Sequence, residues 1–351
     1  MELIVPKMVT FLSFVFGFFL IFFLISWMRA CRIGQKRKDF QKYLQNYFLS
    51  QENQELEFLL SYLKKECFFL EFYHWFDGLS KKDQERFLKV VGEFLLQLLP
   101  FVRTASIRYQ VLFLKFLTQY PKCMEGKDNP LLSYMAESAI STHFAIRDWA
   151  FLGINRFGNS TLLRKTLLLM NQHVEEHNAK LITNSLLQFQ GDAKLLKEFI
   201  GKDIKKYRDC YCIACIDYLG YQKLDISSVI LSFLEDNKKD KEVHIACIRY
   251  FAQVVYKKAV PVLYEMIKND VLSWEEAAIA AKALGNYPSK ETNNHLLAAL
   301  GSYSWYVRHN AAGSLVKNNR REVVKEMLRQ INDKYAYEAL KYQLQLFEKG
   351  N

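Results

Sequence analysis

Three cysteines, Cys210, Cys212 and Cys215, stand in the pattern C-x-C-x-x-C, and the tetrapeptide Ile-Ala-Cys-Ile around Cys215 returns 32 residues later around Cys247. Thiols spaced this way could hold a metal or exchange disulfides. A structural zinc takes four ligands, and no second Cys/His cluster with ligand spacing follows nearby in the sequence. His173 to His177 reads HVEEH, which could place two imidazoles on one metal with Glu176 as base. That chemistry needs a further acidic ligand from another helix, which the sequence does not display, so HVEEH reads as a solvated helix end. The phosphate-cradling and nucleophile patterns G-x-x-x-x-G-K-[ST], G-x-G-x-x-G and G-x-S-x-G do not occur. Seven cysteines, an odd number without framework spacing, point to reduced thiols. No catalytic residue, metal ligand or cofactor is expected.

The doubled tetrapeptide instead marks a period. Aligning the copies places Cys215 over Cys247 and extends to Ala150, Thr183, Ala280 and Ala311, at spacings of 31 to 33 residues. Four residues after each stands a large apolar side chain: Ile154, Leu187, Leu219, Phe251, Leu284 and Leu315. Residues i and i+4 share one helix face. A small residue lets a neighbouring backbone approach, and the large one fills the space beside it. Ala, Thr and Cys share little except size. About twelve residues further on, each unit has a second apolar stretch, such as Leu195-Leu196 or Val323-Val324, after turn signals such as Gly158-Asn159 and Gly191-Asp192. The unit is helix, tight turn, helix, and a recurrence of this length is the mark of a solenoid. Scarce Gly and Pro (14 and 6 of 351 residues) and the lack of alternating β-branched runs agree with an all-α chain.

The stretch Ser304 to Asn319 resembles the first helix of a HEAT or HEAT-like repeat, with Val307, Arg308, Ala311, Ala312 and Leu315 at the family's Val-Arg, Ala-Ala and Leu places. Ala280, Ala281, Leu284 and Gly285, and Ile146, Arg147 and Ala150, supply parts of the same pattern. The short period is similar to bacterial units of the phycobilin-lyase type. The resemblance covers residues 146–349 and implies an α-solenoid of helix-turn-helix repeats.

Before the fold comes a different kind of segment. Met8 to Met28 is 21 residues without a charge, and at about 1.5 Å per residue a helix of that length spans the roughly 30 Å bilayer core. Trp27 ends it, followed by Arg29, Arg32, Lys36, Arg37 and Lys38. The positive-inside bias places the N-terminus outside and the rest in the cytoplasm. A cleaved signal peptide would have a shorter apolar run, basic residues before it and a small-residue cleavage site. Residues 1–38 hold six Lys/Arg and one Glu, so they account for five of the formal +11. The remaining +6 over 313 residues is too dilute to argue for nucleic acid.

The expected organisation is therefore a short extracytoplasmic stretch (1–7), a transmembrane helix (8–28), a basic juxtamembrane segment (29–38), a divergent helical part (39–125) and regular HEAT-like repeats (131–349). Ser80 and Asp83 are candidate N-caps in the divergent part, and its aromatic run Phe68 to Phe76 reads as core or a docking patch. Arg164, Lys197 and Lys325 each follow a small position by fourteen residues and could form a basic stripe for an acidic partner. The expected function is a membrane-anchored scaffold for a membrane-associated protein partner, with no nucleic acid. The alternatives are a lyase or metal-dependent hydrolase built on the same repeats, as the phycobilin-lyase resemblance implies, or a nucleic-acid binder similar in fold to HEAT-like DNA glycosylases.

Overall fold

The structure, a computed structural model, describes residues 18, 22–25, 28, 34–46, 48, 56–126, 129–173, 177–268 and 273–350. Every regular element among them is a helix and none is a strand, which is consistent with an α-solenoid. No helix among the described residues is long and apolar enough to cross a membrane. The expected span 8–28 lies outside the described residues apart from Phe18, Phe22 to Ile25 and Met28, which are helical and 40–69% exposed. Trp27, Arg29 and Arg32 also lie outside them.

Contacts divide the chain into two units, Met1–Tyr134 and Met135–Asn351. In the first, α1 (residues 34–46), α2 (Leu56–Leu63), α3 (Glu66–Asp77), α4 (Lys81–Val102) and α5 (Ile107–Gln119) surround an aromatic core. Helix α1 runs through the expected boundary at residue 38, because Phe40 and Leu44 are buried on it. Arg37 pairs with Glu71 on α3, so part of the basic segment belongs to this unit. Ser80 is the N-cap of α4: its Oγ accepts from the Asp83 N–H at 3.2 Å and donates to the Asp83 carboxylate at 2.6 Å. Asp83 is thus the third helical residue, bonded to the cap, rather than a cap itself. The stretch Cys123 to Pro130, whose polar Gly/Asp/Asn/Pro composition reads as a loop before the regular array, begins inside a 3₁₀ turn, Pro121–Met124, with Cys123 and Met124 buried. Gly92 permits this, since a Cβ there would lie 2.2 Å from the Cys123 carbonyl oxygen. The contact boundary accordingly falls later than the loop, inside α6 (Pro130–Ser138).

The second unit is built of helix pairs: α7 (Phe144–Phe157) with α8 (Ser160–Gln172), α9 (Ala179–Leu186) with α10 (Ala193–Asp203), and α11 (Asp209–Tyr221) with α12 (Ser227–Leu234). There follow α13 (Lys241–Gln253) with α14 (Val260–Lys268), α15 (Trp274–Ala283) with α16 (Lys290–Ala299), α17 (Trp305–Asn318) with α18 (Arg321–Gln330), and finally α19 (Lys334–Gly350). The odd-numbered helices pack one on the next in chain order, from α7 to α19. Local chemistry fixes the starts of several second helices. Asn159, Asp192 and Ser289 accept side-chain bonds from the first free N–H groups of α8, α10 and α16.

Ala150, Thr183, Cys215, Cys247, Ala280 and Ala311 all lie on first helices and are at most 4% exposed. Ile154, Leu219, Phe251, Leu284 and Leu315 are buried beside them, whereas Leu187 is half-buried because α9 ends one residue before it. Polar side chains bond carbonyls of neighbouring units: Thr183 to Ala214 at 3.3 Å, Asn286 to Ala252 at 2.6 Å, Asn310 to Ala278 at 2.7 Å and Ser314 to Ala281 at 2.7 Å. Ala311→Leu is expected to overpack this contact and cost about 1–3 kcal/mol, while Cys247→Ala is expected to cost far less. Chemical denaturation of the two variants checks the contrast.

Candidate functional site

The three cations expected to form a basic stripe have different fates. Arg164 on α8 makes a two-pronged contact with Asp203 at the end of α10, Nε to Oδ2 at 2.6 Å and Nη2 to Oδ1 at 3.2 Å. Lys206 adds a third bond at 3.0 Å. Asp203 is only 1% exposed, so Arg164 serves to tie consecutive second helices rather than to offer a free charge. Lys197 is half-buried on α10 and acts on Asp225, and Lys325 is exposed on α18. The equivalent positions between them hold Val229, Pro261 and Asn294. The structure does not bring the three together.

The Arg164 guanidinium, helped by Lys206, holds the Asp203 carboxyl below its usual range against the opposing effect of burial. A lowered native pKa means a contribution to stability that is complete above the unfolded-state value of about 3.9. It is lost as pH falls through the lower native value. Asp203→Asn is therefore expected to lower the unfolding temperature at pH 7, with the difference from wild type shrinking as pH falls towards about 2. Arg164→Ala strands a buried carboxylate and is expected to be the more damaging of the two at neutral pH.

The thiols are arranged for packing. Cys212, Cys215 and Cys247 are fully buried, and Cys210 is half-buried. Burial pushes the Cys212 thiol up to about 12, and raises Cys215 and Cys247 as well. They therefore stay protonated at neutral pH, and the thiolate is the form that attacks or binds metal. Among the described residues no group of three His, Cys, Asp or Glu side chains is placed to share a metal ion. Of the HVEEH segment, residues 174–176 lie outside the described residues. His177 Nδ1 stands 2.5 Å from the Tyr211 hydroxyl, which donates to the Met170 carbonyl at 3.0 Å. The His173 carbonyl accepts from Arg208 at 2.6 Å. These bonds join the end of α8 to the start of α11. The run Phe68 to Phe76 places Phe68, Phe69, Phe72 and Phe76 in the core of the first unit.

A surface that the sequence reading did not single out crosses α15, α17 and α19. Trp274 stacks on Tyr306 at 5.2 Å between ring centres, and Trp305 meets Tyr306 edge-on at 5.2 Å. Trp305 also stacks on His309 at 4.6 Å, which stands 6.3 Å from Tyr342. Trp274, Trp305, Tyr306 and Tyr342 are 42–56% exposed, so this is a continuous aromatic strip open to solvent. Trp274 and Trp305 each precede a small position by six residues. The period therefore held the signal, but only in positions that packing leaves free.

Comparison with known proteins finds no family model that matches the chain and no curated protein similar to it. The fold and this surface define an all-helical protein, consistent with an α-solenoid, with an exposed aromatic strip on three consecutive first helices.

Proposed function

We propose that the chain is a membrane-anchored α-solenoid of HEAT-like repeats, held by residues 8–28 with its N-terminus outside, whose cytoplasmic repeats bind a membrane-associated protein partner. The aromatic strip carries this reading. Tryptophan and tyrosine dominate the energetics of protein interfaces, because they bury a large apolar area while keeping a polar tip. Exposed contiguous patches of this kind mark interaction sites more often than ordinary surface. The uncharged run and its basic flank support the tether, which would raise the effective concentration of the repeats towards a partner at the same membrane. Rigid helices stacked in sequence suit an extended binding surface.

The test is photo-crosslinking in intact membranes from a reactive residue placed at Tyr306. A specific adduct with a membrane-associated protein is expected, reduced at least fivefold by the Trp274→Ala/Trp305→Ala pair. No adduct, or one indifferent to the pair, would overturn the reading.

A further inference from the structure

Two residues after the small position, three consecutive first helices carry Asp217, Arg249 and Lys282. All three side chains line one cleft of about 220 Å³ between α11, α13 and α15, together with Tyr221, Gln253 and Ile279. Across the first rung the charges match. Arg249 Nε and Nη2 donate to the two Asp217 oxygens at 3.0 and 2.9 Å. The second rung places two cations, Arg249 and Lys282, on the lining of the same cleft. The Lys282 ammonium is exposed and has no hydrogen-bond or ion-pair partner among the described residues. The next equivalent position is Gly313, which brings no counter-charge. The cleft thus holds two cations and one carboxylate, and Asp217 is already engaged by Arg249 on both oxygens.

The walls limit what could supply the missing anion. Ile279 gives an apolar surface, Tyr221 an exposed aromatic ring at the rim, and Gln253 an exposed amide. The volume is below the roughly 300–1,000 Å³ usual for small-molecule and cofactor sites, and suits one or two side chains. We propose that this cleft receives an acidic side chain of a peptide segment, an Asp or Glu flanked by an aliphatic residue. Its carboxylate sits between Lys282 and Arg249 and the aliphatic neighbour lies on Ile279 and Tyr221. This deepens the scaffold reading above and rests on it for the source of the peptide, namely the protein partner.

The experiment uses the full chain in detergent and four probes: a fluorescent peptide of alternating Leu, Glu and Asp, the same peptide with Gln and Asn, inorganic phosphate, and phosphatidylglycerol vesicles. The acidic peptide is expected to bind at least tenfold more tightly than its amide counterpart. Lys282→Glu should abolish that preference, because the Lys282 side chain makes no hydrogen bond or ion pair among the described residues whose loss could disturb the fold. Lys165→Glu, with the same change in net charge at an exposed position of α8, should alter affinity less than twofold. Equal binding of acid and amide peptides, or an effect of Lys165→Glu as large as that of Lys282→Glu, overturns the proposal. So does Lys282-dependent binding of phosphate or vesicles that exceeds that of the peptide. If the peptide fails while the Tyr306 adduct persists, the cleft assignment falls and the scaffold reading stands. If the peptide binds but no adduct forms at Tyr306, the scaffold reading falls while the cleft retains its ligand class.

Discussion

Gly191→Ala is expected to destabilise the chain by about 3 kcal/mol, at the upper end of what overpacking costs. A Cβ built on Gly191 would lie 1.9 Å from the Gly158 carbonyl oxygen and 2.8 Å from its carbon. Both obstacles are backbone, so neither can swing aside. Gly158 is held in its place from two directions. It ends α7 in the left-handed conformation, φ +78°, with its N–H on the Ile154 carbonyl, and its own Cβ would come within 2.9 Å of residues 190 and 191. The turns of two successive units therefore touch backbone to backbone, and the Gln190 N–H donates to the Asn155 carbonyl at 3.1 Å across the same junction. Gly201→Ala gives the opposite sign. Gly201 lies inside α10, and a Cβ there meets only a methyl of Ile226 at 3.7 Å. That change is expected to stabilise by roughly 0.5–1 kcal/mol through lower unfolded-state entropy. Urea unfolding of both variants measures the contrast, and a Gly191→Ala protein as stable as wild type would contradict this packing of the turns.

Phe116→Ala is expected to cost about 3–5 kcal/mol, the range for emptying a large aromatic site in a core. Phe116 is fully buried on α5, and its ring lies 4.9–6.1 Å from those of Phe69, Phe72, Tyr73, Phe76 and Tyr120. Deleting it removes contacts from five rings at once. Four of those rings sit on α3 and Tyr120 caps α5, so they have little freedom to close the void. Phe116→Leu, which keeps most of the volume, should retain most of the stability. Guanidinium unfolding followed by tyrosine and tryptophan fluorescence reads both variants, and a loss below about 1 kcal/mol for Phe116→Ala would show that the cavity collapses.

Much of the helical architecture was legible in the residues because its constraints are local or strictly recurrent. The turn signals Gly158-Asn159 and Gly191-Asp192 mark the ends of first helices, and the Asn159 and Asp192 side-chain oxygens there reach N–H groups two or three residues on. Leu187 departs from the pattern since α9 stops before the large position, and nothing in its immediate neighbours signals so early an end. The burial of Cys123 and Met124 was hidden by the polar residues that follow them, because what admits it is a missing Cβ on Gly92, far off in sequence.

The candidate surfaces were less legible. Arg164 looked like one of a row of free cations until its partner, 39 residues on, was placed beside it. The stacking of Trp274 on Tyr306 and the charge mismatch at Lys282 likewise join residues 32 or 33 positions apart. Taken alone, the sequence determined the helical character and the recurrence of a small residue, since a close contact between stacked helices admits only small side chains and demands one each time it returns. Which charges are spent and which aromatics lie open was decided only by tertiary structure. On the surface no steric rule restricts the residue type, so a side chain's role depends on which neighbour the packing of the next unit brings within reach.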